Sequence, residues 1–176
     1  MAAAGRTCPR DTVVPNKLSV RWCLRRDVDA CVENERLSVP DPWEHEDFEI
    51  CLRSKNSNGM VIDDGRNVLG HVMFISARGR ITLVSVVVHP DHRRKGLGSR
   101  LLAPLVRRIG SPSSLSRTLE VTVSDRLLGP HLFFRHNGFL ATEVKHHHFG
   151  PDHDGYRFSR SVDSLSSFER ALGAKQ

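Results

Sequence analysis

Val84-Ser85-Val86-Val87-Val88-His89-Pro90-Asp91-His92-Arg93-Arg94-Lys95-Gly96-Leu97-Gly98-Ser99-Arg100-Leu101-Leu102 is the stretch whose reading decides the fold. A continuous apolar run reads as a strand, His-Pro-Asp and a basic glycine-containing turn end it, and Leu101-Leu102 begin the apolar stripe of a helix. The first amides of a helix have no acceptor within it, and here they converge with three cationic side chains where the helix dipole is positive. Glycines at 96 and 98 remove the Cβ atoms that would hold a ligand away from those amides. The turn formed by Arg93, Arg94, Lys95, Gly96, Leu97, Gly98 and Ser99 therefore suits a pyrophosphate, a dianion that charge-assisted hydrogen bonds favour.

Neither common phosphate loop fits. A P-loop needs Gly-Lys-Ser/Thr four residues after its first glycine, and a dinucleotide fingerprint needs three glycines with an acid about twenty positions on. What stands here is Arg93-x-x-Gly96-x-Gly98 directly after a strand ending in His-Pro-Asp. This resembles the GCN5-related N-acetyltransferases, whose acyl-CoA site is built on an Arg/Gln-x-x-Gly-x-Gly/Ala turn between a strand and a helix.

The 176 residues fit one domain with a sizeable core, and no run of eighteen apolar residues offers a membrane span. Residues 1–17 lack the apolar region of a secretory signal and are expected to be a disordered arm, with the domain over 18–161 and a tail over 162–176. Cys23, Cys31 and Cys51 fall among apolar residues with no Cys-x-x-Cys pair, as reduced core thiols do, a usage that suits the cytoplasm. A formal charge of +6 suits an anionic partner. Without an aromatic-interleaved basic patch, a small anionic cofactor is favoured over nucleic acid.

Along the chain, Leu18–Leu24 alternates as a strand, and Asp27 caps a short helix carrying Val28, Cys31 and Val32. Asp41-Pro42-Trp43-Glu44 reads as the capping box of a second helix, which Asn56-Ser57-Asn58-Gly59 stops. Met60–Asp63, Val68–Ala77 and Arg80–Val88 form an antiparallel meander. Leu97–Ile109 is helical despite Pro104, which should bend it and cost a hydrogen bond. Thr118–Ser124 is a strand, Pro130–His136 a helix with Asn137-Gly138 as its C-cap, and Phe139–Phe149 and Tyr156–Ser161 a closing strand pair. The order matches the α+β acetyltransferase fold: a mostly antiparallel, splayed sheet of about seven strands flanked by about four helices.

Val84–Val88 is apolar on both faces, so it should lie centrally with both sides covered. The resemblance gives its Val86 and Val88 backbone groups the role of holding the pantetheine arm. In Leu119-Glu120-Val121-Thr122-Val123 the apolar residues share one face, leaving Glu120 and Thr122 on the other. An amine must lose its proton before it attacks a thioester, and Glu120 is the candidate general base; a solvent-facing strand glutamate is the plainer reading.

Asp41-Pro42-Trp43, Leu119-Glu120-Val121, Gly138-Phe139 and the loop Phe149–Gly155 are similar to the RimI-like alanine N-acetyltransferases, which acetylate the N-terminal amine of a ribosomal protein with a glutamate base on this strand. The resemblance implies acetyl-CoA as co-substrate, no metal, and a protein N-terminus as acceptor. A small-molecule amine is the alternative acceptor, and a non-catalytic acyl-CoA-binding module the alternative function. Two departures stand out. Phe134 occupies the position of the family's general-acid tyrosine, leaving Tyr156, His131, His136 or water for that role. Asp125 replaces the usual asparagine, before a loop expected to be longer.

Asp41, Glu44, Glu46, Asp47 and Glu49 would make an acidic rim attractive to a basic peptide, or merely cap their helix. His146 and His148 share a strand face, but neither a cysteine nor a paired carboxylate at ligand spacing completes a metal site.

Overall fold

The computed structural model describes residues 18–162; the expected arm over 1–17 and, beyond Val162, the expected tail lie outside the described residues. The chain runs β1 (Ser19–Trp22), a 3-10 turn (Arg25–Asp27), α1 (Val28–Arg36), α2 (His45–Arg53), β2 (Ser57–Asp63), β3 (Val68–Ala77) and β4 (Arg80–Val88). A second 3-10 turn (Pro90–His92) leads to α3 (Leu97–Gly110), β5 (Thr118–Ser124), α4 (Leu128–His136), β6 (Leu140–Gly150) and β7 (His153–Ser161). One seven-stranded sheet has the order β1-β2-β3-β4-β5-β7-β6. Every neighbouring pair is antiparallel except β4 and β5, which α3 joins as the crossover that parallel strands need.

The two faces of the sheet carry different cores. On one, Leu97, Leu101, Leu102, Leu105 and Ile109 of α3 meet Val72, Phe74, Leu83, Leu119 and Val121. Each such side chain contributes about 1.5–3 kcal/mol. Together they outweigh the roughly 3 kcal/mol that Pro104 costs inside the helix, which runs unbroken to Gly110. On the other face α1 and α2 bury Val28, Cys31, Val32, Phe48 and Cys51 against Val61 and Met73. Cys23, Cys31 and Cys51 are all buried and free, as their neighbours in the sequence predicted.

Several boundaries differ from expectation. The N-cap of α2 is Glu44 and not Asp41: its backbone N–H donates to Asp47 Oδ2 at 2.9 Å, and Trp43 stands edge-on to Phe48 with ring centroids 5.3 Å apart. That pair is a hydrophobic staple from N′ to N4, which a start at Asp41 would forfeit. β2 begins at Ser57, because the Met73 side chain fills the space beside Gly59 and lets the glycine sit within the strand. α4 starts at Leu128, with Pro130 in its first turn where its missing N–H is harmless. The expected loop Phe149–Gly155 is mostly strand, since β6 and β7 are separated only by Pro151 and Asp152.

Candidate active site

β4 and β5 pair over four rungs only, from Arg80↔Thr118 to Leu83↔Val121. Beyond them β5 continues against β7 while β4 continues against β3, so the facing edges of Val84–Val88 and Thr122–Ser124 separate. A register shift leaves Val84 without a partner on β3: Phe74 faces Leu83 and Met73 faces Ser85. This bulge sits where the splay begins and turns the strand away from β5. It also corrects the expectation that both faces of Val84–Val88 are covered. Val87 is buried, Val86 and Val88 are half-buried, and Val84 is exposed.

At the head of the splay the 3-10 turn Pro90–His92 hands the chain to α3. Arg94 and Gly96 both have left-handed backbone, with φ of 60° and 76°. Gly96 is the N-cap of α3, and the first helical hydrogen bond runs from Arg100 N to Gly96 O at 3.1 Å. The amides of Leu97, Gly98 and Ser99 precede it and have no carbonyl of their own helix to bond. Arg93 Nε donates to the Val88 carbonyl at 3.0 Å and Lys95 Nζ to the Asp91 carbonyl at 2.9 Å, so both side chains brace the turn. The Val88 carbonyl, expected to be free for a ligand, is thus engaged by Arg93.

At the foot of the splay lies Glu120, opposite Thr82 on β4 and Ser159 on β7. It is half-buried on the face away from Leu119, Val121 and Val123, as the alternation predicted. Arg80 Nη1 lies 3.3 Å from its Oε2, an interaction that sequence separation hides. Glu120, the Val84–Val88 edge and the turn at residues 93–99 therefore lie along one splay.

Phe134, His131 and Tyr156 sit on the opposite face, and His136 is exposed at the end of α4. Phe134 is buried against Phe133, Phe139 and Phe158 and carries no hydroxyl. His131 Nε2 donates to the Ser124 carbonyl at 2.8 Å, and its ring meets Tyr156 with centroids 5.3 Å apart. Tyr156 stands opposite Val123 at the upper end of β5. The loop after Asp125 is short, since only Asp125, Arg126 and Leu127 separate β5 from α4.

Most of the acidic rim has local partners. Glu44 pairs with Arg36 at 2.7 Å, Asp47 completes the cap, and Glu49 pairs with Arg53. His146 Nδ1 bonds Asp154 Oδ2 at 3.0 Å and His147 bonds the Pro151 carbonyl, in a stretch of β6 where the pairing with β7 is irregular and His147 has a φ of 58°. A separate cleft of about 740 Å³ opens between α1, the β2–β3 turn and His89 and His92, with Arg21, Asp27 and Asp63 in its wall. It contains neither Glu120 nor the turn at residues 93–99.

The sequence matches the profile of the Acetyltransferase (GNAT) family over residues 26–139. No curated protein matches it in sequence. Among solved structures it is similar to the ribosomal-protein-S18-alanine N-acetyltransferase of Escherichia coli, with a TM-score of 0.73 and 17% identity over 83% of this chain and 94% of that one. Arabidopsis thaliana NAA60 in complex with acetyl-CoA gives a TM-score of 0.73 at 14% identity, over 84% and 99% of the two chains. An aminoglycoside 6'-N-acetyltransferase complexed with coenzyme A gives 0.71 at 16%, over 82% and 97%. At these identities the likeness is one of fold, while the profile match spans α1 to the Gly138-Phe139 pair, including the bulged strand, the basic turn and Glu120. The chain belongs to the acetyltransferase (GNAT) family of acyltransferases.

Proposed function

We propose that the protein transfers the acetyl group of acetyl-CoA to a primary amine, with the N-terminal α-amine of a protein as acceptor. The observation that carries this reading is the splay itself. Its β4 edge is unpaired, a turn rich in unbonded amides and cations stands at its head, and a carboxylate stands at its foot.

The donor fits the residues present. The amides of Leu97, Gly98 and Ser99, the left-handed Gly96 and the Arg93, Arg94 and Lys95 side chains form the diphosphate cradle. Arg93 keeps its terminal nitrogens for the ligand, because only Nε is spent on Val88. Val86 supplies the strand edge for the pantetheine arm, with Val88 contributing what Arg93 leaves.

Holding amine and thioester in one cleft removes most of the entropic barrier to their meeting. Glu120 takes the amine proton directly or through water, the nitrogen attacks the carbonyl, and coenzyme A leaves as the thiolate. A backbone amide of the bulged strand stabilises the tetrahedral oxyanion, an effect worth about 10²–10³ in rate. With Phe134 carrying no hydroxyl and Tyr156 and His131 on the face away from Glu120, water is left to protonate the departing sulfur.

Incubation with acetyl-CoA and a basic N-terminal peptide tests the reading. Thiol release above background, lost in Glu120→Gln, supports it, and tight coenzyme binding without turnover on any amine overturns it. That second outcome is the non-catalytic reading, which Phe134 favours by lacking a hydroxyl. Turnover on aminoglycosides or polyamines but on no peptide would reassign the acceptor to small molecules.

A further inference from the structure

Beneath α1, three polar side chains meet inside the core. Glu35 of α1, His71 of β3 and Ser85 of β4 are 2%, 0% and 9% exposed. His71 Nε2 lies 3.0 Å from Glu35 Oε1 and 3.1 Å from Ser85 Oγ, and the Ser85 hydroxyl donates to the same Glu35 oxygen. His71 Nδ1 is buried without a partner. A proton there would have no acceptor, so the surroundings favour the tautomer that carries it on Nε2 and donates it to Glu35. The Phe48 ring stands edge-on to His71, with centroids 5.3 Å apart.

Apolar side chains of equal volume would fill this space at lower desolvation cost, so the trio calls for an explanation other than stability. Its position supplies one. Ser85 directly follows the bulged Val84 and precedes Val86, on an arm paired with β3 alone. Val86, Val87 and Val88 are the same residue, so a slip of this free-edged arm by one position would exchange valine for valine at two of these three sites and change residue type only where Ser85 or His89 enters the run. Ser85 is the one side chain on the arm that distinguishes registers, and buried polar contacts are best attested in fixing register.

We infer that Glu35, His71 and Ser85 are positioning residues that lock the register of β4 at its bulge and thereby fix the Val86 backbone beside the splay. The catalytic consequence rests on the transferase reading above; the register lock does not. Ser85→Ala removes the hydroxyl alone, Ser85→Thr keeps one, and Glu35→Leu removes the acceptor in case the first variant fails to fold.

In Ser85→Ala, amide hydrogen exchange across Val84–Val88 should rise about tenfold or more while that of α3 stays within about twofold, with protection regained in Ser85→Thr. Turnover should fall about tenfold and the acetyl-CoA KM should rise with it, because the displaced Val86 backbone holds the pantetheine arm, and both should recover in Ser85→Thr. Equal acceleration throughout the protein, or none in β4, overturns the inference whatever the activity. Loss of β4 protection in a protein that acetylates no amine would uphold the register lock and sink the transferase reading instead.

Discussion

A β-carbon built on Gly98 would come to 2.8 Å from Cε2 of Phe133, so the α4 ring occupies the space that any side chain at 98 would need. Through this contact the first turn of α3, at the head of the splay, is braced by α4. Gly98→Ala should destabilise the fold by about 1–3 kcal/mol as the ring is forced aside. Urea unfolding checks this. Adding Phe133→Leu should recover part of the loss, with a coupling of about 0.5 kcal/mol or more; strictly additive effects would place the ring elsewhere.

Glu120→Gln should lower kcat by about 10²–10⁴ and leave coenzyme affinity within about threefold, since the substitution removes a base and no donor contact. Thiol-release kinetics and calorimetry separate the two quantities. Retained turnover would move the base to another group.

Arg21 clamps two carboxylates, at 2.7 Å from Asp27 Oδ2 and 2.7 Å from Asp63 Oδ2. The Arg21 hydrogen bonds hold the Asp27 carboxyl below the usual carboxylate range. A proton therefore binds the unfolded chain more readily than the folded one. This contribution is complete above the unfolded value of about 3.9 and is lost as pH falls through the folded one. Arg21→Met should cost about 3 kcal/mol at neutral pH by stranding two buried carboxylates. The gap to the wild type should narrow as pH falls below about 4 toward the lowered Asp27 value, as that carboxylate becomes protonated. Chemical denaturation across pH measures it, and a gap independent of pH would refute the ion-pair account.

Arg94 adopts a φ of 60° although it has a β-carbon. Left-handed backbone costs such a residue about 1–2 kcal/mol, part of which glycine returns through its looser unfolded state. Arg94→Gly should thus stabilise the protein by about 0.5–1 kcal/mol while weakening acetyl-CoA binding about tenfold through loss of a charged contact. Melting temperature and coenzyme calorimetry should move in opposite senses. Strain retained at a turn is what a ligand site tolerates.

How much of this was legible in the sequence depended on how local the deciding contact was. β3, β4 and β5 fall at the residues their apolar patterns predicted, because strand period and turn residues are short-range signals. Asp41-Pro42-Trp43-Glu44 spells a capping box and so put the start of α2 at Asp41, whereas the Trp43–Phe48 staple and the Glu44–Asp47 bond set it three residues on. Gly59 read as a breaker until Met73, from the next strand, filled the space beside it. The orientation of Glu120 followed from alternation, but its Arg80 partner and the trio around His71 join residues whose encounter only the folded sheet arranges.

The four-rung junction of β4 with β5 divides the sheet into two leaves, β1–β4 and β5-β7-β6, each made from an uninterrupted length of chain. Most strand contacts within a leaf link neighbours in sequence, whereas the seam must bring together segments separated by all of α3. Four rungs of backbone pairing join the leaves where seven join β5 to β7, so a substitution that costs one rung removes a larger share of the seam than of the β5–β7 pairing.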